Sequence, residues 1–292
     1  MSHTPGTFTS PTDGLELASY TWGAGLDSPR GIVQIAHGLA EHSARYARVA
    51  HALNDAGYIV SAADHRGHGS SITQVAGDFG AAGWDGLVDD LVAYGAALKE
   101  QHAGLPLFLV AHSMGSFAAQ SALLEHSEQY AGVVLSGSTA VDVLAASLAE
   151  ASADAPAGLE AFNAGFEHRT GYEWLSRDEA EVDAYVADPL CGFDTPPETL
   201  PALFSHVGRV SDPAALQGIR PDLPLLIVSG DADPLAGGGQ LVELLGSRYR
   251  EAGLRDVTVR LHAQARHEVF NETNRNEVIG EVVDWVRAHT PD

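Results

Sequence analysis

The sequence predicts an α/β fold in which a mostly parallel, doubly wound sheet is interrupted by an inserted helical cap. Short apolar runs that suit buried strands alternate with amphipathic stretches that suit helices, and this alternation is typical of a parallel sheet covered on both faces. The pattern breaks once, between Ser136 and Pro224, over a stretch too long for a connecting loop. We therefore expect a core domain formed by residues 1–138 and 219–292, with a cap formed by residues 139–218.

The individual elements follow from the local residue pattern. Strands are predicted at 15–22, 31–36, 58–63, 107–111, 132–136, 224–229 and 257–261. Helices are predicted at 44–56, 85–102, 114–127, 237–252 and 275–289, with shorter cap helices at 141–152, 157–168 and 178–187. Asp13-Gly14 is a tight-turn signal, and we expect the first strands, joined by a short turn, to add an antiparallel edge.

Composition limits the classes of partner. The chain of 292 residues carries a net charge of −23, which argues against a nucleic-acid partner and against attachment to anionic membranes, because both need clustered Lys and Arg. It contains no apolar run long enough to span a membrane, so no stable membrane insertion is expected. Its single cysteine, Cys191, and its polar N-terminus without a secretion signal favour the cytoplasm. A monomer or homodimer is the expected state.

A serine between small residues follows the apolar run 107–110. The segment Ala111-His112-Ser113-Met114-Gly115 precedes a predicted helix, and a serine on such a sharp strand-to-helix turn is the nucleophile elbow of α/β-hydrolases. The other interpretation is a helix start with Ser113 as its N-cap.

A serine nucleophile needs a base and an orienting carboxylate, which in this fold follow it in the chain. Asp231 and Asp233 follow the next-to-last predicted strand, and His262 and His267 follow or end the last one. We prefer Asp233 because it lies further into its loop, with Asp231 forming the turn. We prefer His267 because His262 continues the strand. The predicted catalytic residues are Ser113, Asp233 and His267.

An oxyanion intermediate needs two backbone N–H donors. One is expected from Met114, directly after the serine, and the other from Leu39, in the loop after the strand at 31–36. Gly38 lets the backbone approach a substrate because it has no Cβ.

Several segments together resemble one family. His37–Tyr46 resembles the HGxGEHxxRY signature of monoacylglycerol lipases and related lysophospholipase-like serine hydrolases, and Asp64–Ser71 resembles their DxRGHGxS segment. GYEWLSRD (171–178) and DPLCGF (188–193) resemble a bacterial branch labelled lysophospholipase or S33-type hydrolase. The resemblance implies a serine esterase or lipase that cleaves a small-molecule ester or lipid through an acyl-enzyme. The departures are Ala40, Ala111 and Ser116 at positions where glycine is usual, and Ala40 could reshape the oxyanion loop.

Apolar cap residues are candidates for an acyl-binding tunnel, although helical spacing also suits ordinary packing. These substrate-binding candidates are Phe162, Phe166, Leu203, Phe204 and Val207.

Metal and cofactor chemistry is not expected. Four histidines, His37, His42, His65 and His68, could suggest zinc, but they lack cysteine partners and an H-E-x-x-H helix, so loop hydrogen bonding is the preferred interpretation. We expect Cys191 to be a small buried hydrophobic residue in the cap.

Three other functions stay open. They are amide hydrolysis, as in S33-type aminopeptidases, acyl transfer to an alcohol other than water, and a non-catalytic binding protein on this fold. The dehalogenase and epoxide hydrolase relatives are disfavoured because they place an aspartate at the elbow.

Overall fold

The structure is a computed structural model that describes residues 3–150 and 158–291. Its central sheet, as far as these residues show it, has eight strands. They are β1 (Thr4–Thr9), β2 (Glu16–Trp22), β3 (Gly31–Ala36), β4 (Tyr58–Ala63), β5 (Leu107–His112), β6 (Gly132–Ser136), β7 (Leu225–Gly230) and β8 (Val257–His262).

The strands lie in the order β1-β2-β4-β3-β5-β6-β7-β8. From β4 to β8 all neighbours are parallel, whereas β1 and β2 pair antiparallel and β2 pairs antiparallel with β4. Every residue of β3, β5, β6 and β7 is buried, as expected for strands covered on both faces. The predicted fold class is confirmed.

Helices cover both faces of the sheet. Two apolar cores result: α1 and α10 pack on one face, while α2, α3 and α9 pack on the other together with cap residues. The α-helices are α1 (Ala47–Asp55), α2 (Gly83–Gln101), α3 (Met114–His126), α4 (Val141–Ala149), α5 (Glu179–Ala187), α6 (Thr199–Leu203), α7 (Val207–Val210), α8 (Pro213–Leu216), α9 (Gln240–Glu251) and α10 (Arg275–Ala288).

The antiparallel edge differs from the expectation. The first two predicted strands, β2 and β3, are not neighbours, because β3 lies between β4 and β5. The edge is formed by β2 with β1, a strand that the sequence analysis missed. β1 is almost wholly exposed, so it carries no apolar alternation, whereas the fully buried β3 suits only the sheet interior.

Helices α4 to α8 lie between β6 and β7, over the carboxyl ends of the strands. The helix predicted at 141–152 is observed as far as Ala149, and residues 151–157 lie outside the described residues. The helix predicted at 157–168 is a short 3₁₀ helix, Gly158–Asn163. The side-chain amide of its last residue, Asn163, accepts from the Trp174 N–H at 2.9 Å and donates to the Glu173 carboxylate at 2.8 Å. None of the helices described has the length and hydropathy of a membrane span.

Candidate active site

Ser113 lies on a strained turn between β5 and α3. Its backbone has φ +50° and ψ −121°, which costs about 1–3 kcal/mol for a residue with a Cβ. Gly115 is required beside it, because a Cβ there would lie 2.5 Å from the Ala36 carbonyl oxygen and 2.6 Å from that of His37. Ser116, at a position where glycine is usual, is accommodated because its hydroxyl donates to the Ser113 carbonyl at 2.6 Å.

Asp233 and His267 meet Ser113 at the carboxyl edge of the sheet. Asp233 follows β7 and His267 follows β8. His267 Nδ1–H donates to Asp233 Oδ2 at 2.8 Å, and the Ser113 hydroxyl lies 2.9 Å from His267 Nε2, which is free to accept its proton. Both Asp233 and His267 are buried. The arrangement has the connectivity of a nucleophile, a base and an orienting carboxylate.

Asp231 and His262, the alternatives to Asp233 and His267, lie away from Ser113 and form other contacts. Asp231 Oδ1 accepts the Gln264 N–H at 2.6 Å and so stabilises the loop after β8. His262 is the last residue of β8, and its Nε2 lies 3.4 Å from a carboxylate oxygen of Glu281 on α10. Neither side chain takes part in the hydrogen bonds that join Ser113, His267 and Asp233.

A buried ionic network adjoins His267. The Arg45 guanidinium contacts Glu41 at 2.6 Å and binds both carboxylate oxygens of Glu268, at 2.6 and 2.8 Å. Burial lowers the pKa of His267, but the carboxylates of Asp233, Glu268 and Glu41 outweigh it and raise that pKa above its usual value. Asp233 first, and then the two carboxylates of the network, therefore make His267 a stronger base.

His112 is a second buried histidine, beside His267. Its ring centroid lies 4.8 Å from that of His267. Burial, and then the charge on His267, lower the pKa of His112 to about 4. His112 consequently stays neutral at pH 7 and does not compete for the proton.

The predicted oxyanion donors both border the serine. Leu39 and Met114 line the same cavity as Ser113, and Met114 is the first residue of α3, whose N–H has no acceptor within the helix. Ala40 adopts φ +53°, the left-handed conformation that glycine favours. Its carbonyl is held by the Tyr185 hydroxyl at 2.9 Å, so this part of the loop keeps the glycine conformation despite the substitution.

An apolar cavity of about 600 Å³ opens from Ser113 between the sheet and the cap. Three of the five substrate-binding candidates, Phe162, Leu203 and Phe204, line it. Phe166 instead lies under the Arg266 guanidinium, 4.7 Å from it, and Val207 packs against the core on α7. The cavity lining comprises Leu39, Ser113, Met114, Phe117, Leu144, Ala145, Leu148, Ala149, Gly158, Leu159, Ala161, Phe162, Ala164, Trp174, Leu200, Pro201, Leu203, Phe204 and Leu235.

The four loop histidines are used in hydrogen bonds and ring packing. His37 Nδ1–H donates to the Gly38 carbonyl at 2.8 Å, and its Nε2 accepts the His65 N–H at 2.9 Å, which leaves no nitrogen for a metal. The rings of His65 and His68 pack against that of His37. His42 Nε2 lies 3.0 Å from Asp188.

Cys191 is a buried free thiol. Burial is the main cause that raises its pKa, so the thiolate that a nucleophile requires is disfavoured.

Sequence reasoning missed three residues around His267. Glu268 and Arg45 form the ion pair described above, and Trp174 of the cap packs its ring 4.8 Å from the His267 ring while its carbonyl accepts the His267 N–H at 3.2 Å. Glu41 and Arg45 do stand four apart in the quoted segment, a spacing that favours an ion pair. No sequence signal connects Trp174 to the catalytic loop, because that contact depends on how the cap docks.

Comparisons with known proteins identify the family to which this chain is similar. The family model described as serine aminopeptidase, S33, matches residues 27–274. A monoacylglycerol lipase of Mycolicibacterium smegmatis is 30% identical over 284 residues, covering 94% of this chain and 94% of that protein. The human monoglyceride lipase is 30% identical over 280 residues, covering 90% and 84%. Among solved structures, a carboxyl esterase of Bacillus coagulans in complex with glycerol superposes with a TM-score of 0.86 at 26% identity, covering 100% of both chains.

Proposed function

This chain belongs to the S33 serine aminopeptidase family of α/β-hydrolases, and we propose that it hydrolyses carboxylic esters of lipid-like molecules. Membership in the family confirms the resemblance found in the sequence. Within the family, the relatives named monoacylglycerol lipase support an ester substrate, and a fatty acyl ester of glycerol is the substrate that we propose. A lysophospholipid is the second lipid ester to be tested.

The proposed mechanism uses the geometry around Ser113. The Ser113 hydroxyl attacks the ester carbonyl while His267 Nε2 takes its proton, and Asp233 holds the imidazole in the required tautomer and stabilises its charged form. The N–H groups of Leu39 and Met114 donate to the oxyanion. His267 then protonates the leaving alcohol, and a water activated by the same histidine releases the fatty acid.

The cavity that opens from Ser113 is the observation that carries the proposed substrate class. Its volume of about 600 Å³ lies within the range of roughly 300–1,000 Å³ that is typical of small-molecule pockets. A medium or long acyl chain therefore fits. An aminopeptidase would need an acidic group to bind the free amine of its substrate, and the described residues that line this cavity include no Asp or Glu. This difference favours the ester over the amide.

The domain limits and the compartment are also proposals. We assign residues 1–138 and 219–292 to the core and 139–218 to the cap, which the placement of α4 to α8 between β6 and β7 supports. The free thiol of Cys191 is compatible with a reducing compartment, and we propose the cytoplasm.

A substrate panel tests the proposal. It contains p-nitrophenyl esters from acetate to palmitate, a monoacylglycerol, a lysophosphatidylcholine and an amino-acid p-nitroanilide. We expect the highest kcat/KM with a medium or long acyl ester. Ser113→Ala should lower turnover on the order of 10⁴-fold or more. A clear preference for acetate or for the anilide would contradict the substrate class, and a Ser113→Ala enzyme with most of its activity would contradict the mechanism.

A further inference from the structure

A second cluster of metal-ligand residues lies at the far edge of the sheet. His262 ends β8, and Glu277 and Glu281 stand four residues apart on α10 and so share one face of that helix. One ligand atom from each of the three side chains lies within 4.8 Å of the other two. His262 is the alternative to His267 in the sequence analysis, and the proposed mechanism does not use it.

Two of these ligand atoms are buried without a hydrogen-bond partner. Only 7% of His262 is exposed, and in the part of the chain described, neither its Nε2 nor Glu281 Oε2 has a hydrogen-bond partner. Buried polar atoms are normally paired, so such a pair calls for an explanation. A cation bound by both atoms would supply one.

The distance between these two atoms fits a shared ion. They lie 3.4 Å apart, which is longer than a usual N–H···O hydrogen bond. Two ligands that are each about 2.1 Å from a tetrahedral zinc ion are about 3.4 Å apart. Small movements of Glu277, which is exposed, would bring the third ligand to the same point.

The cluster is accessible and rich in suitable ligands. It lines an open cavity of about 480 Å³, which gives an ion an entry path and room for water ligands. Two arginines also line this cavity: Arg177, whose guanidinium is held by Glu272 at 2.8 Å, and Arg260, which stands two residues before His262 on β8. One imidazole and two carboxylates are nitrogen and oxygen ligands that suit zinc and similar cations.

We propose that His262, Glu277 and Glu281 bind a divalent transition-metal cation of the zinc class, with water completing its coordination. The cation joins the end of β8 to α10. Residues 263–274 connect these two elements and include His267. The ion therefore holds together the two ends of the loop that carries His267. It stabilises that loop and takes no part in ester cleavage, so the proposal does not depend on the proposed function.

Calorimetric titration of the untagged, chelator-treated protein with ZnCl₂ tests the site. We expect the wild-type protein to bind Zn²⁺, and Glu281→Gln to weaken its affinity by at least the roughly 10- to 100-fold that loss of an outer-shell partner causes. The matched control is Cys191→Ser, because His42, Asp188 and Cys191 form the other cluster with ligand spacing among the described residues. That variant should bind Zn²⁺ at the α10 site as the wild type does.

Thermal unfolding gives a second, independent measurement. Zn²⁺ should raise the Tm of the wild-type protein and of Cys191→Ser, since a ligand that binds only the folded state stabilises it. At the same Zn²⁺ concentration it should raise the Tm of Glu277→Gln or Glu281→Gln by less, and the folding of both variants is checked by circular dichroism with a chelator present. The proposal is overturned if the wild type binds no Zn²⁺ at millimolar concentration, if Glu281→Gln binds as tightly, or if Cys191→Ser abolishes binding.

Discussion

Ala145→Trp tests whether the apolar cavity holds the acyl chain. Ala145 lies on α4, is partly buried and lines the cavity that opens from Ser113. Its neighbour Ala146 stands on the same helix, is exposed and lies outside the lining. The two alanines offer a matched pair, because the same substitution fills the cavity at one position and points to solvent at the other.

The expected effect depends on chain length. The indole at position 145 takes the space of at least about four methylenes, and at about 0.8 kcal/mol for each methylene that a long chain no longer buries, the loss is about 3.2 kcal/mol. That energy corresponds to roughly a 200-fold lower kcat/KM. A butyrate ester has few methylenes to lose from the cavity, so we expect its kcat/KM to stay within about threefold of the wild-type value.

The assay measures kcat/KM for p-nitrophenyl butyrate and laurate with the wild type, Ala145→Trp and Ala146→Trp. We expect the laurate-to-butyrate ratio to fall only for Ala145→Trp. An equal loss on both esters would mean that the indole disturbs the catalytic residues rather than the acyl site. An unchanged ratio would refute the assignment of this cavity to the acyl chain.

Three further predictions concern the residues around the serine. Asp233→Asn should lower kcat about 10⁴-fold by favouring the wrong imidazole tautomer, and a steady-state assay in which it retains a tenth of wild-type kcat would contradict that role. Glu268→Gln removes a negative charge that raises the pKa of His267. The pKa of His267 should therefore be lower in this variant. Because only the neutral imidazole can accept the serine proton, activity falls as the pH drops below that pKa, and the acid limb of the kcat/KM profile should move to lower pH. An acid limb at the wild-type pH would refute the coupling. Gly115→Ala places its new Cβ 2.5 Å from the Ala36 carbonyl oxygen. The turn that carries Ser113 should shift, and kcat should fall on the order of 10²-fold. Steady-state rates equal to wild type would contradict the requirement for glycine at this position.

The sequence located the residues that the structure brings together at the strand ends. Ser113, Asp233 and His267 could be selected because each stands just beyond an apolar strand, and parallel strands bring their carboxyl ends to one edge of the sheet. The buried strands were located closely for the same reason. Their continuous apolar runs are too short for helices and are separated by helical segments, so they are best interpreted as buried strands.

Features that depend on tertiary packing could not be read from the sequence. β1 has an exposed, Thr-rich pattern and forms only because β2 offers it an open edge. The sequence of the cap gave an even weaker indication of which residues line the cavity. Phe162, Phe166 and Val207 are all apolar, yet of these three only Phe162 lines the cavity. Which face of a short cap helix meets the substrate is decided by docking onto the sheet, and local periodicity does not encode it.

The nucleophilic role of Ser113 is the claim on which the proposed chemistry depends, and covalent labelling tests it most directly. The protein is treated with a fluorophosphonate and the modified peptide is located by mass spectrometry, beside a His267→Ala variant. A single adduct on Ser113, formed far more slowly in that variant, is the predicted result. An adduct on a different residue, or equal labelling rates with and without the imidazole, would contradict the account.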